Sequence, residues 1–149
     1  MIRIQEAAFD VGAELEALSA GRTDIGAVAS FVGLVRDLAG DQTITAMTLE
    51  HYPGMTERKL AEIEAEAASR WSLQASLIVH RYGRMLPGEP IVLVATASAH
   101  RAAALEACAF LIDWLKTKAP FWKLEETAGA SQWVEARAAD DRAAERWER

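Results

Sequence analysis

Between residues 99 and 118 the chain reads AHRAAALEACAFLIDWLKTK, with neither proline nor glycine, and Pro120 follows one residue later. Alanine, leucine, glutamate and lysine are strong helix formers, so this run predicts a helix over 99–118 with Ser98 as its N-cap. Pro120 stops it, because the residue before a proline avoids the helical region. On a helical wheel Ala104, Leu105, Cys108, Leu111, Ile112 and Leu115 form one apolar face, which Ala103, Ala107, Phe110 and Trp114 extend. Only a strip around Glu106, Asp113 and Thr117 stays polar, so the helix is expected to be buried on several sides. Beyond the proline, FWKLE over 121–125 reads as a strand with Phe121, Lys123 and Glu125 on one face.

The rest of the chain arranges itself around that helix. Residues 2–6 suggest an edge strand, 11–20 a helix, and 25–35 a buried strand in which Gly26 and Gly33 are weak points. Arg36 stands at the end of that strand, before a polar loop over 37–42. A strand over 44–51 leads through a Tyr-Pro-Gly turn to a helix over 57–71, with Thr56 as its expected cap. Strands follow over 73–82 and 90–97, a short one near Trp133, and a polar tail helix over 138–149 anchored by Trp147. Helices interleave with strands too irregularly for a doubly wound sheet, which makes this an α+β chain, expected to form one domain over 1–149.

Several function classes drop out. No apolar run is long enough to span a bilayer and the N-terminus lacks the pattern of a signal peptide, so the expectation is a cytoplasmic protein without membrane attachment. The single cysteine, Cys108, excludes an intramolecular disulfide and sits among core residues. A net charge of −6 argues against nucleic acid as partner but leaves room for a small anion held by clustered basic residues. His51, His80 and His100 are far apart and fit no metal-ligand spacing. There is also no phosphate-binding glycine loop. His51 and His80, at strand ends, are assigned to structure.

The basic residues Arg36, His100, Arg101, Lys116, Lys123 and Arg137 are the candidates for chemistry. Arginine forks hold phosphate or carboxylate through paired donors. Lys116 lies at the margin of the apolar helix face. It is there either as a snorkelling lysine at a helix C-terminus or as a desolvated amine that moves protons, attacks a carbonyl or stabilises an oxyanion. These residues suit acyl or thioacyl group transfer onto a phosphorylated substrate. The competing reading is a non-catalytic module that captures a phosphorylated metabolite or a partner's C-terminal tail. Two lysines at apolar margins favour catalysis over simple capture.

FVGLVRD at 31–37, LEHYPGM at 49–55, SAHR at 98–101, LKTKAPFWK at 115–123 and WVEAR at 133–137 together resemble, in the right order, the catalytic (large) subunit family of molybdopterin synthase. The resemblance implies an α/β-hammerhead fold with a small antiparallel β subdomain. It implies sulfur transfer from the C-terminal glycine thiocarboxylate of a small ubiquitin-like partner subunit to cyclic pyranopterin monophosphate, forming the dithiolene of molybdopterin. By the same resemblance Lys116 and Lys123 are the catalytic lysines, His100 with Arg101 the histidine–arginine pair, Arg36 and Arg137 further pocket residues, and Phe31 and Ile112 lining positions. No metal or other cofactor is expected to take part. Leu124 departs from the family pattern, where a basic residue often follows the second lysine. Fifteen residues of helix separate Arg101 from Lys116, about 22 Å at 1.5 Å per residue, too far for one small substrate. A homodimer with composite sites, within a heterotetramer, is therefore expected, with Phe110 and Trp114 offered as contact residues.

Overall fold

The computed structural model describes residues 1–134 and 138–148. In chain order the elements are β1 (Ile2–Gln5), α1 (Val11–Ser19), β2 (Ala27–Leu34), β3 (Leu38–Ala39), β4 (Gln42–Thr43), β5 (Ala46–His51), α2 (Met55–Arg70), β6 (Ala75–Arg81), β7 (Gly83–Met85), β8 (Pro90–Ser98), α3 (Arg101–Lys118), β9 (Phe121–Thr127), β10 (Ala130–Val134) and α4 (Ala138–Glu145). The fold is α+β. A main sheet runs β1-β6-β8-β2, a second, antiparallel sheet runs β10-β9-β5-β7, and β3 with β4 makes a two-residue hairpin in the loop after Arg36.

Alternation along the central strands assigns the two faces of the main sheet. Ile78 of β6 and Val92 and Val94 of β8 face α3, where they join Ala104, Cys108, Leu111 and Leu115 in the larger core. Leu77, Val79, Leu93 and Ala95 point the other way, toward Val11, Leu15 and Leu18 of α1. Leu111 has no exposed surface, and truncating such a leucine to alanine costs about 2–5 kcal/mol. Gly26 is required where the chain passes beneath the β8–α3 connection: a Cβ there would stand 2.1 Å from the Ala99 carbonyl oxygen.

Four expectations change. Ser98 is not the cap of α3; it closes β8 and its hydroxyl donates to the Ser72 carbonyl, while His100 holds the N-cap position with extended backbone. Thr56 is not the cap of α2 either, since Gly54 fills that place with Glu57 reaching back to its N–H. The Thr56 hydroxyl is instead buried, accepting from the Tyr52 N–H at 2.9 Å and donating to the Pro120 carbonyl at 3.2 Å, which ties α2 to the corner between α3 and β9. Leu105 is exposed and the buried face of α3 is centred on Ala107, Phe110 and Leu111.

The fourth change concerns Phe110 and Trp114, which are covered by this chain itself. Trp147, just beyond α4, meets Phe110 and Trp71 edge-on at 5.7 and 5.6 Å, and Phe110 lies 4.5 Å from the Trp114 ring. The Trp147 indole N–H and the Arg146 guanidinium both donate to Asp113 of α3, and Arg70 caps the Trp147 carbonyl. The tail thus docks through Trp147, as its sequence suggests, and the aromatic side of α3 gives no support to a contact between copies.

Candidate active site

A cavity of about 380 Å³ opens where the C-terminal end of α3, the end of β2 and the inner face of the second sheet converge. The backbone places its charges. Arg36 follows β2 directly, and Lys116 stands in the last turn of α3, where a cation suits the helix dipole. Lys123 comes from β9, on the face it shares with Phe121 and Glu125, as strand alternation requires. Thus three cations line one space together with the carboxylates of Glu125 and Asp140. Val35, Met47, Leu49, Ile112, Leu115 and Phe121 supply an apolar floor.

Arg36 and Lys116 are both exposed to this space. Among the described residues neither side chain forms a hydrogen bond or an ion pair, so their donors are available to an anion. Lys116 at an exposed margin is the snorkelling geometry, and it is turned toward the cavity. Gly33 is tightly packed in the cavity wall. A Cβ on it would meet Val92 Cγ1 at 2.9 Å and Phe31 Cε1 at 3.4 Å, so Phe31 lies behind the wall, packed against the core.

The structure therefore brings together Arg36, Ile112, Lys116 and Lys123. It does not bring His100 or Arg101 into the same cavity: both are exposed at the N-terminal end of α3, with the full helix between them and Lys116. Arg137 lies outside the described residues. Trp122, on the opposite face of β9 from Lys123, is 47% exposed and does not wall the cavity.

His80 is a cavity residue that sequence reasoning misses. It is buried, stacks on Phe121 with ring centroids 3.8 Å apart and planes 15° apart, and its Nδ1 lies 2.8 Å from the Arg81 carbonyl oxygen. A signal was available: on β6, His80 alternates in step with Ile78 and so faces α3. Burial lowers its pKa to about 4, with the positive charges of Lys116 and His51 adding to the effect. Below its ordinary pKa of 6.5 the unfolded chain binds a proton that the fold refuses. The stability linked to neutral His80 is therefore complete above that value and is lost as the pH falls toward about 4, at about 1.4 kcal/mol per unit. Thermal unfolding followed between about pH 7 and about pH 5 should show a steeper acid loss for the wild type than for His80→Asn; equal slopes would assign the loss to another group.

Cys108 is no nucleophile, since burial pushes its thiol up to about 11 and its Sγ faces the Val94 carbonyl. Among the described residues no three His, Cys, Asp or Glu side chains gather closely enough to hold a metal ion, and no helix is long and apolar enough to cross a membrane.

Comparison with known proteins identifies relatives along nearly the whole chain. Residues 4–118 match the family model described as MoaE protein. The molybdopterin synthase catalytic subunit of Pseudomonas aeruginosa is 58% identical over 99% of this chain and 98% of its own length. The structure of the molybdopterin biosynthesis MoaE protein from Burkholderia ambifaria superimposes with a TM-score of 0.85 at 53% identity, covering 99% of this chain and 97% of that one. The crystal structure of molybdopterin synthase from Staphylococcus aureus gives a TM-score of 0.83 at 30% identity, over 89% and 96% of the two chains. By sequence and by fold, the chain belongs to the MoaE family of molybdopterin synthase catalytic subunits.

Proposed function

We propose that the chain is a sulfurtransferase, the catalytic subunit of a molybdopterin synthase. It moves sulfur from the C-terminal glycine thiocarboxylate of a small ubiquitin-like partner to cyclic pyranopterin monophosphate. The observation that carries this reading is the convergence of Arg36, Lys116 and Lys123 on one cavity with an apolar floor. The thiocarboxylate already supplies activated sulfur, so the chain's task is to place it and manage charge. Lys116 and Lys123 flank the thiocarboxylate, stabilise the oxyanion of the acyl–substrate adduct and move protons as the partner's carboxylate leaves. Arg36 holds the substrate's phosphate through its paired donors. The partner's glycine-ended tail enters along Phe121 and Lys123, where the absence of side chains lets it pass.

The active assembly is a homodimer of this chain carrying two small subunits, with each site composite. His100 and Arg101 of one copy reach the cavity formed by Lys116 and Lys123 of the other, which overcomes the roughly 22 Å of helix between Arg101 and Lys116. The direct test is a sulfur-transfer assay with thiocarboxylated small subunit and cyclic pyranopterin monophosphate, read as dithiolene formed. Binding of both without transfer would make the chain a capture module instead.

Arg36→Ala separates anchoring from chemistry. It should raise KM for the cyclic phosphate while largely sparing kcat, because its contact is the same in ground and transition states. A loss confined to kcat would contradict the phosphate-anchoring role.

A further inference from the structure

His80 belongs to β6 of the main sheet, yet it touches β9, which carries one of the cavity's lysines, and lines the cavity with the other. Its ring lies on Phe121, the first residue of β9, and Lys123 stands two residues further along the same face of that strand. It also shares the cavity wall with Lys116 of α3. Its register partner on β8 is Val92, another wall residue, so the ring sits at the point where both sheets and α3 meet.

That ring has little freedom. A carbonyl oxygen only accepts, so the 2.8 Å contact with Arg81 requires the hydrogen on Nδ1 and leaves Nε2 as an acceptor. The near-parallel stack then sets the depth of Phe121 against the main sheet. From the other side the buried Thr56 hydroxyl holds the Pro120 carbonyl, so the corner between α3 and β9 is gripped at two adjacent residues. Only six residues separate Lys116 from Lys123, and that corner lies between them.

We propose that His80 is a positioning residue for the lysine pair: its locked ring, stacked on Phe121 beside Lys116, sets the separation of Lys116 and Lys123 across the cavity. The reason for histidine is that one ring meets three demands. It fills the space above Phe121, satisfies the Arg81 carbonyl, and, as a neutral imidazole, adds no fourth positive charge to Arg36, Lys116 and Lys123. The catalytic consequence rests on the sulfur-transfer reading given above, whereas the geometric claim does not.

Two substitutions in the full assembly with its small subunit divide these roles. His80→Asn keeps a donor for the Arg81 carbonyl and loses the ring, while His80→Phe keeps the ring and loses the donor. Because a misplacement near 1 Å costs up to about 10²-fold, His80→Asn should lower kcat by roughly 10- to 100-fold, with KM for the small subunit unchanged. A short amine-to-amine cross-linker, read by peptide mass spectrometry, should join Lys116 to Lys123 in the wild type and in His80→Phe. In His80→Asn the yield should fall several-fold. His80→Phe should keep most of its kcat while unfolding at a lower temperature. A folded His80→Asn with wild-type kcat and cross-link yield would overturn the proposal. So would a His80→Phe that loses turnover as badly as His80→Asn with its cross-link intact, since the imidazole would then act chemically. Should the lysines prove dispensable for turnover, the sulfur-transfer reading fails by itself and the cross-link yields still decide whether His80 positions them.

Discussion

Lys116→Ala should cut dithiolene formation by roughly 10²- to 10³-fold, the usual worth of a group that stabilises developing charge or transfers a proton at the reacting centre. The fold should survive, because Lys116 is exposed and engages no hydrogen bond or ion pair among the described residues. The measurement is single-turnover sulfur transfer together with thermal unfolding. A matched loss of stability would instead point to a packing role, and near-normal turnover in a folded variant would remove Lys116 from the mechanism. Lys116→Arg should restore little: guanidinium keeps the charge but does not release its proton at working pH, and its planar fork directs that charge differently from an ammonium. Lys123→Ala should fail in the same direction.

Recovery of activity is expected from mixing two inactive proteins, Arg101→Ala and Lys116→Ala. In a heterodimer formed by subunit exchange, one composite site carries both defects and the other carries neither, so activity should return toward half of the wild-type value per exchanged dimer. α3 is one uninterrupted helix over Arg101–Lys118, so no bend shortens the path between its ends. Phe110 and Trp114 are covered within the chain by Trp147, Arg70 and Lys118, so a dimer of the proposed kind uses another surface. Verified exchange without recovery would mean that His100 and Arg101 act outside the site, or not at all.

How much of this was legible in the chain depended on whether a signal was local. The helix over 99–118, its stop at Pro120 and the strand face shared by Phe121, Lys123 and Glu125 follow from residue types and short spacings, and the structure reproduces them within a residue or two. The caps were less legible. A serine before a helical run resembles an N-cap, but Ser98 is claimed by the Ser72 carbonyl, and Thr56 by Tyr52 and Pro120. Those partners lie 26 and 64 residues away for the Ser72 and Pro120 bonds, a range no local pattern reports. The same limit hid Asp140 and the partner of His80, whose alternation with Ile78 marks its face but not what it meets there. Asp140 and His80 each reach the cavity only because distant segments pack beside them, and a histidine near a strand end looks structural until its stack on Phe121 is seen.

The docking of α4 also fixes an order of events during synthesis. Val134 and Asp140 line the cavity, and α4 is held against α3 by Trp147 and its bonds to Asp113. These residues leave the ribosome after α3, so the edge of Phe110 that Trp147 covers stays open until the tail arrives, while Trp71 and Arg70, made earlier, already pack on that ring. A nascent chain stalled before that point has its lysines but not the far wall of the cavity. The site is thus completed by its own tail, after every other part of the wall has been made.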